Sequence, residues 1–187
     1  MKLLHWAYFY KARILEMFKQ HDGAVGAFRD ALAANPRFGL AASCMGHLQA
    51  SIGQPAQAVR SFLEALRIDP NDAVSWFNLG FVYQQQRQQE DAIAAFQNAV
   101  RLKPDNDRAW FGMGLAHAAQ GRHEEAAKAL EKAAALQPMN PHAWYSLGMA
   151  YHTLRNQDKV RQIVEQLSGF DPKMQRRLMQ DTGMQES

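Results

Sequence analysis

Cysteine and histidine are the residue types in this sequence whose spacing could support catalysis. Cys44 and His47 stand three positions apart, which on a helix places both side chains on one face. A thiolate beside an imidazole is how nucleophilic cysteines are built. The same spacing also arises where a small, partly buried cysteine neighbours a polar histidine. We expect the second arrangement and keep a Cys44/His47-dependent enzyme as an alternative.

The seven histidines do not form a metal-binding pattern. His142 and His152 fall on one predicted helix, but ten residues separate them by about 15 Å, too far to share one ion. The sequence has no HExxH motif, no CxxC pair and no glycine-rich phosphate loop. We therefore predict no catalytic residue, no metal and no cofactor.

The charge of the chain gives little support to nucleic-acid binding. Its 187 residues include 21 basic and 18 acidic side chains, so the net charge of +3 reflects a small excess. A helical-repeat RNA-binding protein, with Arg13 and Arg108 on phosphates, is the other alternative. A steep salt dependence of binding would distinguish it.

The N-terminal segment has only part of a secretory signal. Lys2 precedes an apolar run, but Lys11 and Arg13 close that run and no small-residue cleavage site follows. No stretch approaches the ~20 apolar residues that span a bilayer. A single cysteine suits a reducing compartment. These features predict a cytoplasmic protein without a membrane span.

A period of 34 residues organises the whole chain. The unit 73–106 contains Trp76, Leu79, Gly80 and Tyr83, which recur 34 residues later as Trp110, Met113, Gly114 and His117. The same step joins the apolar residues of the second half of each unit and five prolines: Ala58, Ala92, Ala126; Phe62, Phe96, Leu130; Pro36, Pro70, Pro104, Pro138, Pro172. Each unit is therefore predicted to form two helices, and a proline ends the second of them.

This pattern resembles the tetratricopeptide repeat (TPR), a helix–turn–helix unit. The resemblance implies an all-α fold, a right-handed α-solenoid of five TPR repeats with a short C-terminal capping helix. We place the repeats at 5–38, 39–72, 73–106, 107–140 and 141–174, and the capping segment at 175–187. We treat 1–187 as a single domain.

Glycine within the predicted helices calls for a packing reason, because it costs about 1 kcal/mol relative to alanine. We expect Gly46, Gly80 and Gly114 to lie against the second helix of their own repeat, and Gly148 to need a close neighbour as well. Gly53 and Gly121 fall at turns, where a left-handed conformation favours glycine. His117 holds the place of Tyr83 and Tyr151, so we expect it in the core.

The resemblance also implies that the first helix of each repeat lines a concave surface. The second, fifth, sixth and ninth places of each repeat, here called the inner rows, would line it. The predicted groove residues are Phe9, Arg13, His47, Phe77, Asn78, Phe81, Arg108, Phe111, Leu115, Tyr145 and Met149. Aromatic and methionine side chains in this position are typical of a hydrophobic recognition groove.

Four of these residues, Phe77, Phe81, Phe111 and Leu115, are expected to form a central apolar patch. They stand where co-chaperones that bind acidic C termini carry polar residues, so we disfavour that function. The N-terminal helix is apolar almost all round, and we expect a partner or a second copy to cover Trp6 and Tyr10. The sequence therefore predicts a non-enzymatic protein–protein interaction module, a scaffold, assembly factor or chaperone, that binds an extended or helical segment of another protein.

Overall fold

The computed structural model describes residues 3–184, and within them every regular element is a helix. The all-α prediction is confirmed. The helices are α1 Leu4–Met17, α2 His21–Ala34, α3 Gly39–Ser51, α4 Pro55–Ile68, α5 Ala73–Gln85, α6 Gln89–Leu102, α7 Asp107–Ala119, α8 His123–Leu136, α9 Pro141–Thr153, α10 Gln157–Ser168 and α11 Pro172–Thr182.

The helices follow the 34-residue period of the sequence. The second helix of each repeat begins at residue 21, 55, 89, 123 or 157, a constant step. The helix that follows the fifth repeat, α11, is the predicted cap and ends where Gly183 takes a left-handed conformation. The last residues of the capping segment, 185–187, lie outside the described residues, as do residues 1–2.

The chain divides into two compact units, Met1–Gln88 and Gln89–Ser187. The first unit contains α1 to α5, and the second contains α6 to α11. Within each unit, helices that are consecutive in the chain pack against each other. The short connections between them make antiparallel helix pairs, as in other α-helical hairpins.

The N termini of three first helices are capped in the same way. Asp72, Asn106 and Asn140 stand 34 residues apart, and each accepts hydrogen bonds through its side chain from backbone N–H groups of the first turn. Such caps satisfy donors that a helix start leaves unpaired, and each is worth about 1 kcal/mol.

The small and aromatic residues of the second helices form the cores of the two units. Phe28 and Phe62 are fully buried in the first unit, and Phe96 and Leu130 are fully buried in the second. The alanines that share their stripe are also buried: Ala24, Ala31, Ala58, Ala65, Ala92, Ala99, Ala126 and Ala133. The apolar residues that recur every 34 positions in these second helices are therefore core residues.

Close packing explains three glycines of the first helices, Gly46, Gly114 and Gly148. A Cβ built at Gly46 would lie 2.9 Å from the ring of Phe62, and one built at Gly114 would lie 2.6 Å from Cγ of Leu130. The neighbour of Gly148 comes from the cap, because a Cβ there would lie 2.6 Å from Cδ2 of Leu178. Leu178 thus fills the space that the second helix of the repeat fills elsewhere.

Candidate functional site

In the first unit, the inner rows present both polar and aromatic side chains. Arg13 and His47 are exposed, and Arg13 forms an ion pair with Glu16 one turn along α1. On α5, Phe77 and Asn78 are partly buried, whereas 47% of the surface of Phe81 is exposed. Of the aromatic residues predicted to line the groove, Phe81 is therefore the one that solvent reaches freely.

Phe9, which was also predicted to line the groove, is buried. Only 8% of its surface is exposed, and its ring makes edge contacts with Trp6 and Phe38 and a tilted contact with Phe28. The local density of aromatic rings explains the difference, because Phe38, the last residue of the first repeat, packs against Trp6 and Phe9 of α1. Phe9 therefore belongs to the core of the first unit.

Two exposed apolar residues of the inner rows were absent from the prediction. Leu40 and Val74 hold the second place of their repeats, and 49% and 60% of their surfaces are exposed. The sequence could have indicated them, because Arg108, which was predicted to line the groove, holds the same place one repeat after Val74. His142 holds it two repeats after Val74. Leu40 and Val74 extend the apolar surface of the first unit beyond the rows of Phe77 and Phe81.

In the second unit, several inner-row side chains pack against the core and remain partly exposed to solvent. Arg108 is exposed, and Phe111, Leu115 and Met149 are partly buried. Phe111 and Met149 pack against the buried cluster that contains Leu130, Leu147 and Leu167. These side chains therefore stabilise the unit and also present part of their surface to solvent.

Tyr145 is held by the cap. Its hydroxyl donates a hydrogen bond of 2.7 Å to Oδ2 of Asp181, and the guanidinium of Arg177 lies 4.9 Å from the centre of its ring. The hydrogen bond to Asp181 raises the pKa of Tyr145 above its ordinary value. The predicted groove residue is thus already in contact with α11, and this contact marks one end of the inner rows.

The N-terminal helix carries an exposed apolar surface. Tyr10 is 60% exposed, and its ring stacks on that of the partly buried Trp6. The other large apolar residues that are exposed on or beside α1 are Leu3, Leu4, Ile14, Met17 and Phe18. Single exposed apolar residues are ordinary, but six on one short segment form a patch typical of an interaction surface.

Comparison with known proteins identifies the repeats. Sequence profiles described as tetratricopeptide repeat match residues 45–72, 61–94, 82–138 and 113–166, which together extend over 45–166. The chain belongs to the TPR family. No curated protein sequence matches it significantly.

Solved TPR structures resemble the fold closely. The crystal structure of MamA has a TM-score of 0.84 at 22% identity and covers 100% of both chains. YrrB, described as a TPR protein with an unusual peptide-binding site, has a TM-score of 0.81 at 21% identity over 92% of this chain and 90% of its own. PilW, described as a type IV pilus biogenesis factor, has a TM-score of 0.74 at 20% identity over 94% and 82%. At these identities the likeness shows the fold alone.

The environment of Cys44 in this TPR chain does not favour a nucleophile. Burial raises the pKa of the Cys44 thiol, partly offset by Arg13, so the thiol stays protonated at neutral pH. A reactive cysteine needs the opposite shift. The neighbouring polar groups form a separate network, in which Ser75 Oγ lies 2.6 Å from a carboxylate oxygen of Asp72 and 2.8 Å from Ser43 Oγ.

Two further results bear on other function classes. Among residues 3–184, no group of three or more His, Cys, Asp or Glu side chains is placed to hold a metal ion. Over the same residues, none of the helices has the length and apolarity that crossing a membrane requires.

Proposed function

We propose that this TPR chain is a non-enzymatic protein–protein interaction module, which binds a segment of another protein through its inner rows. The observation that carries the proposal is the exposure of Phe81. The repeat-defining residues beside it on α5, Leu79 and Gly80, are buried, while Phe81 holds an inner-row place with nearly half its surface in solvent. Large exposed aromatic side chains of this kind supply binding energy when a partner desolvates them.

The comparisons support this class of function without naming a partner. YrrB is described as having a peptide-binding site, and PilW is described as a biogenesis factor. We propose a role as a scaffold, assembly factor or chaperone, and we place it in the cytoplasm because the single cysteine suits a reducing compartment. The segment bound is extended or helical and mainly apolar.

Phe81→Ala tests the proposal against a matched control in the same unit. Leu63, on α4, is 46% exposed and lies outside the inner rows, so Leu63→Ala removes a similarly exposed apolar side chain elsewhere. Proteins captured by the wild-type chain from its native lysate are identified by mass spectrometry and purified. The Kd of the purified complex is then measured for each variant by calorimetry.

We expect Phe81→Ala to keep a Tm close to that of the wild type and to weaken binding at least tenfold, or about 1.4 kcal/mol. Leu63→Ala should change neither quantity. Equal affinities for the two variants would count against the inner rows as the binding surface. Phe77 and Phe111 are less suitable probes, because both are partly buried and their truncation also removes packing.

The exposed surface of α1 is proposed as a subunit contact, with a partner or a second copy of this chain. Its members Tyr10, Ile14 and Met17 are 60%, 54% and 70% exposed. Hydrogen exchange of α1, measured in the isolated chain and in the functional assembly, tests this proposal. We expect protection in the assembly only; an α1 that exchanges equally fast in both states would contradict the contact.

A further inference from the structure

A cleft of about 420 Å³ opens in the second unit between α8, α9 and α10. Its floor is formed by α9, with Trp144 near one end and Tyr151 near the other. The remaining residues that line it are Glu131 and Ala135 of α8, Leu147 of α9, and Lys159, Gln162, Ile163 and Gln166 of α10. None of these residues belongs to the inner rows, so this Trp144 cleft is distinct from the surface proposed above.

The two aromatic rings of the cleft are fixed by hydrogen bonds. The indole N–H of Trp144 donates to the carbonyl oxygen of Pro138 at 2.8 Å, and the hydroxyl of Tyr151 donates to Oε1 of Glu131. Burial and the Glu131 hydrogen bond raise the pKa of Tyr151 to about 12, so its phenol stays neutral at neutral pH. Rings that are already ordered lose little conformational entropy when a ligand binds.

The rim of the Trp144 cleft carries one charge of each sign at its Tyr151 end. Glu131 accepts the tyrosine hydroxyl on the α8 side, and Nζ of Lys159 lies 5.8 Å from the centre of the Tyr151 ring on the α10 side. Because these two charges are opposite in sign, this end of the rim offers no net charge that would attract a charged ligand. The other rim residues, Gln162 and Gln166, are neutral and can donate and accept hydrogen bonds. The rim therefore favours an uncharged ligand with polar amide groups.

The open end of the cleft depends on a small residue in α8. Ala135 is exposed there, whereas the residues 34 and 68 positions earlier, Arg101 and Arg67, have long side chains. An arginine at position 135 would place its stem across the entrance between α8 and α10. The small side chain leaves the partly buried ring of Trp144 accessible, and the buried side chains of Leu147 and Ile163 lie beneath it.

We infer that the Trp144 cleft is a second recognition site, which binds one uncharged aromatic side chain of a protein segment. The ring would lie on the partly buried indole of Trp144, where offset or edge-to-face contacts between aromatic rings are favourable, above the buried side chains of Leu147 and Ile163. The backbone amides of the segment would bond to Gln162 and Gln166. The volume of the cleft is in the lower part of the roughly 300–1,000 Å³ usual for ligand pockets, which suits a single side chain.

N-acetyl-phenylalaninamide is the probe, because it has an aromatic ring, two amides and no charge. It is titrated into the full chain while the Trp144 indole N–H and the methyl groups of Leu147 and Ile163 are followed by NMR. We expect saturable shifts at these three residues with a Kd of about 1 mM, as fits a ligand of this size. Nuclear Overhauser contacts from the probe ring to the two methyl-bearing residues give a test that needs no variant.

Ala135→Arg should weaken binding of the probe at least tenfold, because the arginine closes the entrance. Ala94→Arg is the control, since Ala94 is also exposed on a helix of the second unit and does not line the cleft. The inference is overturned if the wild-type chain shows no saturable shift and no Overhauser contact at these residues. It is overturned equally if N-acetyl-lysinamide or N-acetyl-aspartamide binds as tightly as the aromatic probe.

Discussion

The indole N–H of Trp110 donates a hydrogen bond to the carbonyl oxygen of Pro104, 2.9 Å away. The same bond joins Trp76 to Pro70 at 2.9 Å and Trp144 to Pro138 at 2.8 Å. In each case the proline follows the second helix of one repeat, where its carbonyl has no helical partner, and the tryptophan lies in the first turn of the next repeat. Two positions of the 34-residue period thus act together to join consecutive repeats.

Trp110→Phe should lower the stability of the second unit by about 0.5–1.5 kcal/mol, the usual net value of one hydrogen bond. The loss is at the lower end if water replaces the indole at the Pro104 carbonyl. Trp144→Phe removes a bond of the same kind and should cost a similar amount. Urea unfolding of both variants measures the change, and unchanged midpoints would show that these bonds only replace bonds to water.

Gly114 and Gly26 should respond in opposite directions to alanine. A Cβ at Gly114 would lie 2.6 Å from Cγ of Leu130 and 3.3 Å from the backbone oxygen of Ala126, so Gly114→Ala forces helices apart and costs about 1–3 kcal/mol. In the part of the chain that the structure describes, no atom outside the local helix backbone lies within 4 Å of the corresponding position at Gly26, within α2. Gly26→Ala should therefore stabilise the chain by up to ~1 kcal/mol. Thermal unfolding of the two variants gives the comparison, and a stable Gly114→Ala protein would refute the packing.

The helices could be predicted from sequence because the signals for them are local. A proline follows α2, α4, α6 and α8 by two residues, whereas α10 ends at Ser168 and Pro172 begins α11. The apolar spacing within each half-repeat identifies the buried stripe, as at Phe62 and Phe96. The contacts that decide exposure were not local. Leu178 from the cap fills the space beside Gly148, and Asp181 engages Tyr145 although it lies outside the five repeats.

The exposure of inner-row residues was predictable only in part. The period assigns Phe9 and Phe81 to comparable surfaces, but the rings of Trp6 and Phe38 bury Phe9. Residues at the ends of a repeat array meet neighbours that the repeating pattern does not contain. The 34-residue period therefore identified the positions of the candidate site. Contacts with residues outside the repeating pattern determine which of these side chains are exposed to solvent.

One place of the repeat is left-handed in all five repeats, whether or not it holds glycine. Gly53 and Gly121 have φ of 76° and 72°, as predicted, and the equivalent Lys19, Arg87 and Arg155 have φ of 57°, 61° and 58°. An L-residue is destabilised by about 1–2 kcal/mol in this conformation. Replacing the L-residue with glycine removes that cost, but the greater conformational freedom of glycine in the unfolded chain offsets part of the gain.

Arg155→Gly should therefore raise stability by up to ~1 kcal/mol, and Gly121→Ala should lower it by about 1 kcal/mol. Both sites are in the second unit, so the two variants can be compared directly by urea unfolding. A loss of stability in Arg155→Gly would mean that the arginine side chain contributes more than its backbone strain costs.

His117 should make stability fall as the solution becomes acidic. It is buried, and its Nδ1 has no hydrogen-bond partner among residues 3–184. Desolvation, followed by the nearby charge of Arg122, lowers its pKa below the ordinary value. The unfolded chain takes up a proton near pH 6.5, while the folded chain resists protonation until a lower pH. The stability contributed by neutral His117 is therefore complete above about pH 6.5 and is lost as the pH falls below it.

His117→Gln isolates this contribution from that of the other histidines. Gln49 occupies the same place in the second repeat, where its Oε1 accepts a hydrogen bond of 2.6 Å from Ser61 Oγ, so the amide fits this position of the fold. The residue equivalent to Ser61 in the fourth repeat is Ala129, which has no hydroxyl to offer His117. Unfolding free energies of the two proteins should be measured by urea titration from about pH 7.5 to about pH 5. We expect the wild type to lose more stability than His117→Gln over this range; parallel pH profiles would show that His117 is protonated equally in the folded and unfolded states.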